Sequence, residues 1–363
     1  PAGPSATAAP HAAPSTAGPS ASASAAESRA ATFLAVGDVL LSRHVAGCMV
    51  DRQDLLAPFR DVAPLLGSVD FVFANLESPF SSSLDFSRSS ANIFNAPPAH
   101  VLGLVEHRFR IVNLANNHTL DQGVQGLRFT LQHLADHGIA AVGAGSDQAQ
   151  AWRPAIVAVR GIRIGFVGAS YASVNDDGTS RSPYVARIDD DRRLGGAIAS
   201  ARAGADVVVV TMHAGSEYNP QVHPSQVRFA HRAIDLGADV VFGAHPHVLQ
   251  RIERYRGRYV FYSLGNFIFD HLRPGTRDGL AVRTTVGLGR TADGERRGSV
   301  QGLELVPVVI EERCAPRPAP EAAAARILAA VGATERVLPV APLAPLEQVR
   351  PGGRAGRGMT AAE

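Results

Sequence analysis

The stretch Val240-Val241-Phe242-Gly243-Ala244-His245-Pro246-His247 reads as a short buried strand that ends on two histidines. A brief apolar run bounded by glycine and proline is a strand signal. Polar side chains at its end are costly for a core unless they find partners or a ligand. Working outward, the same pattern recurs four times. Phe33–Val36 runs into Gly37-Asp38, and Phe71–Ala74 into Asn75-Leu76-Glu77. Ile111–Leu114 runs into Ala115-Asn116-Asn117-His118, and Val207–Thr211 into Met212-His213. Further strands are expected at Ala140–Val142, Ala155–Val159, Ile164–Val167 and Tyr259–Tyr262. Helices are expected near 53–66, 98–107, 122–137, 190–203 and 222–236. In 122–137, Val124, Leu127, Leu131 and Leu134 recur at helical spacing. Strands alternating with helices predict an α/β fold of βα units around a central sheet. The runs Leu280–Leu288 and Gly302–Ile310 alternate as antiparallel strands do.

In open α/β sheets the C-terminal strand ends share one rim, where ligands bind. The five islands should therefore converge. Taken singly, each has an ordinary reading: Gly-Asp makes turns, asparagine caps helices, and a lone histidine is usually a satisfied polar residue. Taken together, Asp38, Glu77, Asn117, His118, His213, His245 and His247 supply carboxylate, amide and imidazole donors, each after an apolar run. Such donors suit a divalent cation of the Zn²⁺, Mn²⁺ or Fe²⁺ kind. His245 and His247, two apart, can reach the same ion or adjacent ions. The remaining histidines (His44, His100, His107, His133, His137, His223, His231 and His271) read as ordinary, and His11 falls in the N-terminal segment.

The two cysteines, Cys48 and Cys314, lie far apart without CxxC spacing. They argue against a thiolate site or a disulfide framework and leave one long-range bridge open. All 35 basic residues are arginine, so lysine Schiff-base and P-loop chemistry is excluded. A net charge of +2 points to neither nucleic acid nor an anionic membrane as partner. No apolar run is long enough to cross a membrane as a helix. Residues 1–30 are Ala, Pro, Ser, Thr and Gly with almost no large apolar side chain, and read as a disordered linker. The chain starts at Pro1, so an export signal or membrane anchor upstream is an expectation, with an extracytoplasmic, tethered location. One domain is expected over 31–337 and a disordered tail over 338–363.

The stretches GDVLLSRHV (37–45), FANLESP (73–79), VNLANNHTLDQG (112–123), VGAG (142–145), VVVTMHAGSEY (208–218), GADVVFGAHPHVLQ (237–250) and YSLGNFIFD (262–270) together resemble the CapA family. These are poly-γ-glutamate (capsule) biosynthesis proteins of the calcineurin-like metallophosphoesterase superfamily. The resemblance covers roughly residues 32–270 and implies a four-layer α/β/β/α sandwich with one or two metals at strand ends. It implies Asp38 on a first metal with His247, Glu77 in the bridging place, and Asn117, His213 and His245 on a second. His118 takes the place of the catalytic histidine, acting with Asp38 in the reaction centre. The superfamily's first motif is Asp-x-His, whereas this chain reads Asp38-Val39-Leu40. The first metal thus lacks the histidine of that motif, for which His44 is a candidate replacement. Arg43, Asn75, Glu217, Tyr218 and Asn266 are expected around the substrate, with Arg43 as a bidentate partner for a substrate carboxylate. The implied activity is hydrolysis or transfer on poly-γ-glutamate or γ-glutamyl amides, beside membrane-bound synthesis proteins. The alternatives are a phosphoesterase and a non-catalytic accessory protein of a polymer-synthesis assembly.

Overall fold

The computed structural model describes residues 30–82, 92–171, 182–290 and 296–340. Residues 1–29 of the linker expected over 1–30, and 341–363 of the tail expected over 338–363, lie outside the described residues. The first sheet begins with β1 (Ala30–Val39), β2 (Phe71–Leu76), β3 (Phe109–Asn113) and β4 (Ala140–Val142), parallel to one another. The second holds β5 (Ala155–Val159), β6 (Ile162–Ser170), β7 (Val207–His213), β8 (Val240–Ala244), β9 (Ile252–Tyr255) and β10 (Arg258–Phe261), in the order β5-β6-β7-β8-β10-β9. The chain then returns to the first sheet with β11 (Asn266–Ile268), β12 (Asp278–Arg290), β13 (Arg296–Glu311), β14 (Ala315–Pro318) and β15 (Val337–Leu338). β12 pairs antiparallel with β1 and with β13, as the alternation in those runs predicts.

Side-chain alternation along the strands sorts the apolar residues into three cores. On β1, Phe33 and Ala35 face the second sheet, and Leu34 and Val36 face outward. On β7, Val207 and Val209 face inward, while Val208, Val210 and Met212 face outward. The layer between the sheets is aromatic: Phe33, Phe71, Phe73, Phe166 and Phe242 meet in edge-on, tilted and stacked pairs 5.3–6.4 Å apart. Truncating one of these rings to alanine costs about 3–5 kcal/mol.

Helices close both outer faces. α1 (Arg43–Asp51), α2 (Ala63–Gly67), α3 (Val101–Glu106) and α4 (Gly123–Asp136) cover the first sheet through Val45, Leu66, Leu104, Leu127 and Leu134. After the short α5 (Gln148–Ala151), α6 (Asp191–Gly204) and α7 (Pro224–Asp235) cover the second through Leu194, Ile198, Phe229 and Ala233. α8 (Glu321–Ala330) packs Ile327 into the inter-sheet core. The result is the four-layer α/β/β/α sandwich.

Two expectations need correction, and one alternative left open is decided. The single helix expected at 53–66 is a 3₁₀ segment, Ala57–Val62, followed by α2, each with a proline at its start. The folded chain runs past 337: Leu338 pairs with Leu303, and the Pro339 carbonyl accepts from the Tyr259 hydroxyl at 2.9 Å. Cys48 and Cys314 form a disulfide, fastening α1 to the start of β14. Among the described residues no helix is long and apolar enough to cross a membrane.

Candidate metal centre

The five islands do meet, at the open edge of the inter-sheet layer. Residue parity places them there. On β7, positions 207, 209, 211 and 213 share one face, so His213 points the same way as the buried Val207 and Val209. Asn75 follows Phe71 and Phe73 on β2, and Asn113 follows Ile111 on β3, in the same sense. Asp38 is paired on both sides, opposite Asn75 of β2 and Asn266 of β11. The approach of β11 leaves no room for a side chain at Gly37, whose Cβ would lie 1.9 Å from the Gly265 carbonyl oxygen.

Asp38 and Glu77 are completely buried. The Asp38 carboxylate is held in place from two sides. Asn75 Nδ2 donates to Oδ1 at 2.8 Å and the His245 amide to Oδ2 at 3.2 Å. Asn75 is itself fixed by Asn113 Nδ2, which donates to its Oδ1 at 2.9 Å. Glu77 is the opposite case: neither carboxylate oxygen has a hydrogen-bond partner. Its Oε1 lies 3.6 Å from His213 Nε2, 3.7 Å from His247 Nε2 and 3.8 Å from His118 Nε2. Burial, then the charges of Asp38 and Glu217, push its carboxyl well above the ordinary 4.5. A buried carboxylate surrounded by imidazole nitrogens with no donor on it is a group arranged for a cation.

The imidazoles fit that reading. Burial first, then neighbouring histidines, push His213 and His245 well below the ordinary 6.5. Both are therefore neutral at physiological pH and offer lone pairs. The Nδ1 atoms of both are buried without partners. His247 is oriented through Asn266. Asn266 Nδ2 donates to the Thr276 carbonyl at 2.9 Å, so its Oδ1 accepts from His247 Nδ1 at 2.9 Å. That fixes the proton on Nδ1 and turns Nε2 towards Glu77. His245 and His247 both have left-handed backbone, with φ of 102° and 56°. Such strain in non-glycine residues persists where surroundings enforce it, and it clusters at functional sites.

Among the described residues three donor groups arise, each with ligand atoms within 4.8 Å of one another: Asp38, Glu77 and His247; Glu77, His213 and His245; and Glu217, His245 and His247. Asn117 Oδ1 sits 2.7 Å from His213 Nε2, beside the second group. With its orphaned oxygens and nitrogens, the set fits a divalent cation of the kind imidazole and carboxylate hold. His118 stands apart from the donors. Its Nδ1 lies 2.7 Å from Asp121 Oδ2, its ring stacks on Phe94 at 3.7 Å, and its Nε2 faces Glu77.

A family model described as the bacterial capsule synthesis protein PGA_cap matches residues 32–271. The chain belongs to this family. Capsule biosynthesis protein CapA of Bacillus anthracis is 32% identical over 293 residues, covering 79% of this chain and 69% of that protein. A probable polyglutamine synthesis accessory protein of Mycobacterium tuberculosis is 32% identical over 288 residues, covering 76% and 75%. A solved calcineurin-like phosphoesterase of Bacillus subtilis superposes with a TM-score of 0.48 at 11% identity, over 83% of this chain and 96% of that one. The matched range contains all five islands that form the centre.

The structure rearranges the outer residues expected around a substrate. Asn75 is buried against Asp38 and Asn113, so it positions a carboxylate and does not face a ligand. Asn266 likewise holds His247 from behind. Arg43 does not present an isolated fork: its Nε donates to Asp270 Oδ2 at 3.1 Å and its Nη2 pairs with Asp270 Oδ1. Its guanidinium lies 4.5 Å over the Phe94 ring, on the rim of the centre. Glu217 and Tyr218 are at the rim as expected, and burial and Glu217 push the Tyr218 hydroxyl up to about 12. His44 is exposed on α1 and does not join the donors, so it replaces no ligand. Leu40 is fully buried among apolar residues.

Four residues escaped the sequence reading. His271, taken as ordinary, lies with its ring 4.6 Å from that of His247, and burial followed by His247 and Arg43 pushes it down to about 2. Its place directly after YSLGNFIFD was an available signal. Asp121 follows His118 by three residues, which was also legible. Phe94 and Tyr171 reach His118 and His245 only through folding, and nothing local marks them.

Proposed function

We propose that this chain is a metal-dependent enzyme acting on poly-γ-glutamate or γ-glutamyl amide-like substrates, by hydrolysis or transfer, in cell-surface polymer biosynthesis. One observation carries the reading: a buried Glu77 without a single hydrogen bond, encircled by His213, His245 and His247 and facing the His118–Asp121 pair. Membership of the capsule-synthesis family and the printed name of the Bacillus anthracis relative support a role in capsule synthesis, and the γ-glutamyl substrate class follows the CapA resemblance.

Asp38, Glu77, Asn117, His213, His245 and His247 would hold one or two divalent ions, of Mn, Zn or Fe. A bound ion supplies Lewis acidity and a water acidic enough to ionise near neutrality. The remaining work belongs to the chain. Asp121 accepts from His118 Nδ1–H, which fixes the tautomer and steadies the imidazolium when Nε2 is protonated. His118 Nε2 then delivers a proton to the departing amine. Phe94, stacked on the ring, keeps it in plane and shields the Asp121 hydrogen bond from water. An extracytoplasmic location is supported by the Cys48–Cys314 disulfide, which persists in oxidising compartments. Membrane-bound synthesis proteins are the partners such a location would offer.

The test is to purify the protein with each metal and assay γ-glutamyl peptides beside a generic phosphodiester. Amide turnover supports the reading. Phosphodiester turnover alone makes the chain a phosphoesterase of its superfamily. A second reading, a non-catalytic accessory role, is favoured by the apolar Leu40 and by the name of the Mycobacterium tuberculosis relative. It predicts that His118→Ala retains function in vivo with metal and fold intact.

A further inference from the structure

Two of the three donor groups among the described residues hold only residues expected on a metal, and the third adds Glu217, which was expected around the substrate instead. Glu217 is exposed, yet its carboxylate lies within 4.8 Å of ring nitrogens of both His245 and His247. Local structure brings it there. β7 ends at His213, and the following turn doubles back over the loop that carries the two histidines. Tyr218, at φ 62°, donates its amide to the Pro246 carbonyl at 2.8 Å, and the Asn219 amide donates to Ser216 at 3.2 Å. Gly215 permits the tight pass with φ 122°; a Cβ there would come within 2.9 Å of Gln226 Oε1 and 3.1 Å of Pro246 Cγ. The turn is thus fastened to Pro246, midway between the histidines, with Glu217 above them.

The need for another donor is visible on the opposite side. Asp38, Glu77 and His247 form a group of three, fewer than the four ligands that even a tetrahedral ion takes. The two nearest candidates on β1 and α1 do not serve: Leu40 is apolar and buried, and His44 points to solvent. Independently, His245 is 1% exposed and its Nδ1 has no partner, so the histidine beside Glu217 is itself an unsatisfied donor.

We propose that Glu217 is a metal ligand in this chain, closing the centre from the solvent side as a third donor beside His245 and His247. The inference rests on the metal centre proposed above. Its chemical consequence is selectivity. A third carboxylate alongside Asp38 and Glu77 gives the site a harder, more anionic donor set than an imidazole would, and so raises affinity for Mn²⁺ more than for Zn²⁺.

The test uses the full chain stripped of metal, titrated with Mn²⁺ and with Zn²⁺ by calorimetry, with manganese electron paramagnetic resonance counting bound ions. Glu217→Gln keeps size and shape at an exposed position, and matching thermal unfolding of the two metal-free proteins confirms the fold. The expected result is a loss of about 10–100-fold in Mn²⁺ affinity, or of one bound ion, with a smaller loss for Zn²⁺. Ser216→Ala, at an exposed position on the same turn, retains wild-type binding. If Glu217→Gln binds Mn²⁺ with unchanged stoichiometry and affinity, Glu217 is not a ligand and the proposal is overturned while the centre stands. If the wild-type protein binds neither ion, the centre itself is overturned and this proposal falls with it.

Discussion

Replacing Glu77 by glutamine should stabilise the metal-free protein while abolishing its response to metal. Glu77 is completely buried and neither of its oxygens is hydrogen bonded. An ion in that position costs several kcal/mol even after relaxation. The upward push on its carboxyl, from burial and the adjacent Asp38, reports the same penalty. Glutamine removes the charge and leaves an amide short of partners, at about 1–3 kcal/mol. The net gain in the metal-free state at pH 8 is about 1–3 kcal/mol, or roughly 2–6 °C at about 2 °C per kcal/mol for a domain of this size. The wild type, by contrast, gains about 4 kcal/mol when metal is supplied at a thousand times its dissociation constant. Differential scanning calorimetry with and without metal should therefore rank metal-free wild type lowest, Glu77→Gln in the middle and unchanged by metal, and loaded wild type highest. A Glu77→Gln protein less stable than metal-free wild type would refute the reasoning, because Glu77 would then be a structural group.

Asn266→Ala removes the acceptor that fixes the His247 tautomer, and metal affinity measured by calorimetry should fall about 10–100-fold. The advantage of Glu77→Gln over metal-free wild type should grow as pH rises. Folding raises the Glu77 carboxyl, so its contribution is complete below about 4.5 and disappears as pH climbs through the raised folded value, while the buried histidines titrate alike in both proteins. The difference between the urea midpoints of the two chelator-treated proteins should widen from pH 5 to pH 8. His118→Ala should lower turnover by about 10²–10⁴ with bound metal unchanged, as read by single-turnover assays and metal analysis. Reducing the Cys48–Cys314 bridge should cost about 2–5 kcal/mol in denaturant unfolding, since it closes a loop of more than 250 residues.

The centre was legible because its residues break a local rule. Apolar runs that end on Asp38, Glu77, His213 or His245 put expensive groups where a strand leaves the core, and only a ligand makes sense of five such ends together. The sheets were legible for the same reason, since period-two alternation is a local property. What the sequence concealed was set by distance. Asn75 on β2 and Glu77 just after it were expected at a substrate and at a metal, but only folding shows that Asn75 clasps Asp38 while Glu77 is left bare. The pairing of Arg43 with Asp270 spans 227 residues and turns an expected substrate clamp into a wall of the rim. His271 looked like any other half-buried histidine until β11 carried it beside His247. The break between the 3₁₀ segment and α2 was locally encoded, in Pro58 and Pro64, and was passed over because the apolar spacing continues through it.

The central claim is that the strand ends assemble a divalent-cation centre around Glu77. It is tested most directly by diffraction from crystals grown with Mn²⁺, with data on both sides of the manganese absorption edge. The account predicts an anomalous peak within bonding distance of Glu77, bounded by His213 and His245 or by Asp38 and His247. Manganese bound elsewhere on the chain, with Glu77 still bare, would contradict it.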